Sequence, residues 1–300
     1  MNIKIMTNKL IPFLFLIFSY TSIFSQECDL MMPVGRGNEV IKHDYFWLSY
    51  SEKDEQPEWV FYELTKEEAN GNLARTNNFR PDSSVPTKSA QLADYKGSGF
   101  DRGHLAPAGD MEFNQTAVSE SFYMSNMSPQ RPGFNRGIWK SLESLVRAWA
   151  QKDGDLYIIT AGVLEPNLNS IGLSKVSVPK YYYKVILDYD SNQVRSIAFL
   201  LPNQKTNLPL SNYIVTIDEV EELTGINFFA GLDKSVQESF ESKNVGQWNL
   251  FAKTTHIPKS GNTTTTISNT ITGQCVAVTQ KGTQCKRKST PGNEKCWQHQ

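Results

Sequence analysis

Between Cys28 and Cys275 the chain has no cysteine. No disulfide can brace that long stretch, so its stability must come from packing. Histidine is almost as scarce, with four in 300 residues. Neither sign of charge prevails: 30 Lys and Arg face 31 Asp and Glu, a net charge of −1. That is not the strongly basic balance of many nucleic-acid binders, and any grip on a polyanion must come from a local cluster. No internal repeat is visible. After residue 25 no apolar run is long enough to cross a membrane, which takes roughly 20 residues. What is present is a 39% hydrophobic content, enough for a real core.

The first residues carry Lys4 and Lys9, then an uncharged and mostly apolar run from Leu10 to Ser25. A basic start, a short apolar run and a small residue before Gln26 and Glu27 read as a secretory signal peptide over 1–25. An N-terminal anchor is the alternative, but the run is short and contains Pro12. The expectation is a secreted or periplasmic protein with no membrane segment in its mature form. Residues 26–258 are then one large domain, 259–273 a Thr/Ser/Asn-rich linker, and 274–300 a small Cys/His tail.

Within the large domain, residues 38–66 read as two aromatic-rich strands separated by the polar run Ser51–Gln56. Residues 67–100 are rich in Asn, Pro, Ser and Gly and read as loop. Phe122–Met124 reads as a short strand ending at Ser125-Asn126, and Ser128–Pro132 as a Pro-rich turn. Ile138, Leu142, Leu145, Val146 and Trp149 recur near 3.6 residues and predict a helix over 135–151, with Asn135 at its cap or in its first turn. Leu156–Ala161, Tyr181–Leu187 and Ser196–Leu201 have strand length and composition. Ile217–Leu223 predicts a short helix stopped by Gly225. The fold class expected is α+β, a mixed or antiparallel sheet packed with helices.

The most informative segment is Phe100–Asp110, Phe-Asp-Arg-Gly-His-Leu-Ala-Pro-Ala-Gly-Asp. His104 has the side chain best suited to take a proton near neutrality. Arg102 supplies a permanent cation with forked donors that suit a phosphate. Hydrolysing a phosphodiester also calls for stabilising the charge on phosphorus and on the leaving oxygen, which a divalent cation does well. Asn135 offers a hard, neutral oxygen for Mg²⁺, which keeps most of its waters. Glu143 lies eight residues on, about two helical turns or roughly 12 Å along the axis, and suits a carboxylate that holds those waters. Asn126 is placed to steady His104 or a phosphate oxygen. Taken singly, each is more often a cap, a surface charge or a salt-bridge partner; taken in order they are not. Trp139, Leu142 and Trp149 are assigned to the core, as are Tyr45, Trp47 and Trp59. His43 and His256 are read as structural or exposed.

Asp101-Arg102-Gly103-His104, then Ser125-Asn126 with Pro129-Gln130, then Asn135-x3-Trp139-x2-Leu142-Glu143 resemble the DNA/RNA non-specific endonuclease family, of the endonuclease G-like, ββα-metal (His-Me finger) kind. The likeness runs from about Tyr45 to Phe229. It implies His104 as general base and Asn135 as the single protein ligand of Mg²⁺ or Mn²⁺. Glu143 would hold the waters around that ion, and Arg102 and Asn126 would assist the phosphate. An upstream arginine, Arg75 with Arg80 as rival, would also reach the phosphate. The strand bearing His104 and the helix bearing Asn135 and Glu143 would clamp the cation, with Gly103 letting the backbone come close. The activity implied is sugar-non-specific cleavage of DNA and RNA. The residues alone also admit a phosphodiesterase of small nucleotides, or an inactive secreted nucleic-acid-binding protein. Oligomeric state is open, a homodimer included.

The tail, Cys275-x9-Cys285-x10-Cys296-x2-His299, has the ligand count of a Cys₃His zinc site. About 27 residues cannot bury a core alone, so a metal or disulfides must hold them. Zn²⁺ is favoured over disulfides, for which Cys28 would make the count even. Lys281, Lys286, Arg287, Lys288 and Lys295 make the tail basic and would add affinity for nucleic acid.

Overall fold

A computed structural model describes residues 29–190 and 193–254. The chain divides into two units, Met1–Ile257 and Pro258–Gln300, and the described residues all belong to the first. The signal-peptide reading of 1–25, the linker, His256, and the zinc reading of Cys275, Cys285, Cys296 and His299 lie outside them.

The centre is a seven-stranded sheet. Its strands are β1 (Glu39–Lys42), β2 (Trp47–Ser51), β3 (Gln56–Leu64), β6 (Leu156–Gly162), β9 (Tyr181–Asp190), β10 (Gln193–Pro202) and β11 (Ile214–Val215), in that spatial order. Each neighbouring pair is antiparallel. Every residue of β6 is buried, as is nearly all of β3, so the middle of the sheet is covered on both faces. Alternate residues of β9 show what covers it. The Tyr182 ring lies 5.2 Å from Phe134 and 5.7 Å from Trp139. The Tyr183 ring lies 5.6 Å from Phe228 on the other side.

On the Tyr182 side sits a second, two-stranded antiparallel ribbon, β4 (Asp101–His104) with β5 (Met127–Gln130). It is followed by a π-helical turn, Phe134–Trp139, which runs into α3 (Lys140–Asp153). A short helix, α1 (Leu92–Tyr95), precedes β4, another, α2 (Gln115–Glu120), lies between β4 and β5 in sequence, and β7 (Ser170–Ile171) pairs with β8 (Val176–Ser177). Leu142, Leu145, Val146 and Trp149 of α3 are buried, as their spacing requires. On the Tyr183 side the chain forms α4 (Ile217–Thr224) and α5 (Lys234–Glu241). A Thr216/Glu219 capping box starts α4. Gly225, at φ +70°, ends it in a conformation that favours glycine.

Three local expectations are corrected. Phe122–Met124 is not a strand: the chain turns through α2 and a 3₁₀ turn at Met124–Asn126. The strand comes next, at Met127–Gln130, inside the segment read as a Pro-rich turn. Proline is tolerated there because a two-stranded ribbon leaves one side of each strand unpaired, and Pro129 sits opposite Arg102. Residues 38–66 hold three strands rather than two, with Tyr45 in the turn after β1.

Candidate active site

His104 ends β4 and is 8% exposed. Its ring meets Phe122 edge-on at 4.9 Å and Phe79 at 5.6 Å. Each phenyl carries an arginine on its face: Arg102 lies 4.0 Å over Phe79, and Arg75 lies 4.8 Å over Phe122. The two aromatic rings therefore space two cations around one imidazole. Burial, with Arg75 and Arg102 adding repulsion, pulls His104 from 6.5 down to about 3. The ring is thus neutral at physiological pH, and its Nε2 is buried with no hydrogen-bond partner. Arg80 turns elsewhere, over the Tyr123 ring at 4.0 Å and onto the Ser119 carbonyl at 2.7 Å. Of the rival upstream arginines, Arg75 is the one beside His104.

Asn135 lies in the π-helical turn, not at a helix cap. Its Nδ2 donates to Asp101 Oδ2 at 2.9 Å. A carboxylate only accepts, so this bond fixes the amide's orientation and leaves the Asn135 carbonyl oxygen for another partner. Asp101 is itself gripped by the exposed Arg136 through Nε and Nη2, at 2.8 and 2.6 Å. The expectation of a straight two-turn separation between Asn135 and Glu143 is corrected. Gly137 has non-helical angles (φ −105°, ψ −113°), so a bend intervenes. Single-turn π segments of this kind recur at functional sites.

Glu143 is partly buried, in a cluster the sequence reading did not assemble. Lys184 is fully buried, with no hydrogen-bond partner for Nζ, which lies 5.1 Å from the Trp139 ring centre and 5.9 Å from Tyr62. Its place on β9, two residues after Tyr182, aims it at the same face. Asp110 accepts from Tyr62 Oη at 2.8 Å and from Arg147 Nη1. Burial pushes Glu143 up to about 7, and Asp110 adds to this, while Lys184, Arg147 and Arg75 pull it down. Burial lowers Lys184 to about 8 against the pull of Glu143. The signals for these residues were available. Arg147 lies four residues after Glu143 on the helix, and Lys184 is the lone cation in an apolar strand.

The donor types fit a hard divalent cation: a neutral amide oxygen and a carboxylate, oxygen ligands rather than thiolate or imidazole. Asn135 would hold the ion directly and Glu143 through water.

Of the two roles read for Asn126, its bonds favour steadying the chain at His104 over touching a phosphate. It is fully buried; its Oδ1 accepts from Ala106 N, and its Nδ2 donates to the Ala106 and Ser121 carbonyls, all at 2.9 Å. It fastens the chain just beyond His104. His43 is structural, 2.9 Å from Asp82 and stacked on Tyr123 at 5.0 Å.

Gly103 also differs from expectation. The space a Cβ would take is filled by the Gln130 side chain, 2.2 Å away, so glycine here serves ribbon packing. Gly103→Ala is expected to destabilise the fold by about 1–3 kcal/mol through overpacking and to lower cleavage by displacing His104. Denaturant unfolding beside a cleavage assay checks this; an unchanged midpoint removes the packing argument.

A two-stranded antiparallel ribbon leading into a helix, set against an antiparallel sheet, defines this α+β protein as a ββα-metal nuclease. The model of the DNA/RNA non-specific endonuclease family matches residues 26–235. Nuclease C1 of Cunninghamella echinulata var. echinulata is 38% identical over 218 residues, covering 67% of this chain and 86% of that one. Mitochondrial endonuclease G of Caenorhabditis elegans is 37% identical over 252 residues, covering 74% and 82%. A crystal structure of the EndoG/EndoGI complex superposes with a TM-score of 0.64 at 32% identity, covering 70% of this chain and 93% of that one. The chain belongs to the DNA/RNA non-specific endonuclease family, and it is an endonuclease, a phosphodiester hydrolase acting on nucleic acid.

The secreted or periplasmic expectation is corrected by the same comparisons. The C. elegans relative is named as mitochondrial, as are Nuclease EXOG of Mus musculus and Nuclease 1 of Schizosaccharomyces pombe. A basic, apolar N-terminus is not by itself an export address. Among the described residues no helix is long and apolar enough to cross a membrane.

Proposed function

We propose that this endonuclease cleaves DNA and RNA without regard to the sugar, with His104 as general base and Mg²⁺ or Mn²⁺ held through Asn135. The observation that carries the reading is the His104 imidazole, buried, neutral and with a free Nε2 between two arginines. A base that is already deprotonated can accept the proton of an attacking water at Nε2. Arg75 and Arg102 neutralise the phosphate and the charge that builds on it during attack. When bound, the cation acts as a Lewis acid on the phosphate and the leaving oxygen. Asp101 holds the Asn135 amide in its orientation, and Lys184 with Arg147 pulls the Glu143 carboxyl down against the effect of its burial. Purified protein incubated with supercoiled plasmid and with RNA, with and without divalent cation, tests this. Cleavage of neither polymer, with turnover of small nucleotide diesters, would favour the small-substrate alternative. Binding without cleavage would favour the inactive one.

The pH profile follows from Glu143. Its carboxylate must be charged to hold water, so cleavage is expected to decline as pH falls through about 7. Lys184→Met keeps the volume but removes the pull that lowers Glu143, so this acid limb should move to higher pH. Profiles of kcat/KM for the two proteins compare them; a limb that does not move takes Lys184 out of the site.

A further inference from the structure

Three carboxylates gather on the face of the sheet opposite His104. Asp218 and Glu221 lie three residues apart on α4, hence on one side of the helix, and Glu241 reaches them from the end of α5. One oxygen from each lies within 4.8 Å of the others. Their placement is fixed by packing: Phe240 is buried against Phe229 at 5.8 Å, and its carbonyl accepts from Ser196 Oγ of β10 at 3.0 Å. Glu221 is held by the Phe228 N–H, which donates to Oε1 at 2.6 Å.

Glu241 is the unusual member. It is 6% exposed, and its Oε1 is buried with no hydrogen-bond partner. Among the described residues none of the three carboxylates has a Lys, Arg or His within salt-bridge distance. Burial and repulsion from Glu221, Asp218 and Glu238 push Glu241 up to about 8. A buried acceptor with no donor costs stability, and a cation would satisfy it.

We propose that Asp218, Glu221 and Glu241 form a Ca²⁺ site that ties α4 to α5, separate from the nuclease centre. Ca²⁺ takes several carboxylates at once among its oxygen ligands, whereas Mg²⁺ usually keeps several waters and is bound through one or two. The three oxygens stand close enough together to share one ion, and the exposed side at Asp218 admits the waters that complete its shell. The site rests on no part of the catalytic reading.

The test uses the full chain carrying Asn135→Ala, which removes the catalytic ligand. In that protein about 5 mM CaCl₂ is expected to raise the melting temperature by about 3–5 °C. Adding Glu241→Gln or Asp218→Asn should abolish the rise, and calorimetric titration should show one Ca²⁺ lost per chain. Near neutral pH Glu241→Gln should also melt no lower than its parent without Ca²⁺, because a carboxyl pushed up to about 8 is already mostly uncharged there. Asp218 is exposed, so Asp218→Asn reads the site even if the buried variant fails to fold. No rise with Ca²⁺, or an equal rise in all three proteins, overturns the proposal.

Discussion

His104→Ala is expected to slow plasmid cleavage by about 100- to 10,000-fold, the range for loss of a general base. Nothing else near the ring replaces it. Arg75 and Arg102 are permanent cations, and Glu143, high in its own pKa, is committed to Lys184 and Arg147. The fold should survive, since Phe79 and Phe122 also pack on each other at 4.9 Å. The imidazole has a second consequence. In the unfolded chain it takes a proton below about 6.5, but in the native protein it stays neutral down to about 3. Through that window the unfolded state binds more protons, so stability falls as pH falls. His104→Gln removes the titrating group. The variant should lose less stability between pH 7 and pH 5 than the parent, measured by urea unfolding at both. Full cleavage by the alanine variant would dismiss His104 as the base, and equal acid sensitivity of the glutamine variant would show that the ring is not buried neutral.

Removal of divalent cation is expected to stop turnover, and Asn135→Ala to come close to doing so. On the proposed reading one amide oxygen would anchor the ion and water would fill the rest of its shell. Without it, cleavage at fixed Mg²⁺ should fall by about 100-fold or more, the scale of lost electrostatic stabilisation. Part of the loss should return as Mg²⁺ is raised. Asn135→Asp is not a mild change here. The amide nitrogen donates to Asp101, so a carboxylate would face a carboxylate across a lost hydrogen bond. It should therefore be impaired despite retaining an oxygen. Titration of rate against Mg²⁺ for parent and both variants gives the answer; coincident midpoints would show that Asn135 does not hold the ion.

What the sequence revealed depended on how far apart the cooperating residues lie along the chain. His104, Arg102, Asn135 and Glu143 stand out in the sequence because unusual side chains follow one another in a fixed order. β6, β9 and β10 were legible because central strands are nearly continuous apolar runs, and α3 because one stripe of it is. β5 was missed because Pro129 argues against a strand unless its unpaired edge is known. For Asn126 the sequence left steadying His104 and touching a phosphate both open, because its bonds run to Ala106 and Ser121, which no spacing rule reveals. The Glu143 cluster draws on β3, the Ala108–Asp110 turn, α3 and β9. Only the folded chain brings Tyr62, Asp110, Arg147 and Lys184 together.

β9 carries Tyr183 and Lys184 side by side on opposite faces, and it is pinned along one edge by β6 and along the other by β10. A slip of one residue would carry the ammonium away from Glu143 and put an aromatic or aliphatic group in its place. Catalytic competence in this enzyme is therefore also a readout of strand alignment. Molecules that fold with β9 out of step should be soluble, sheet-rich and unable to cut.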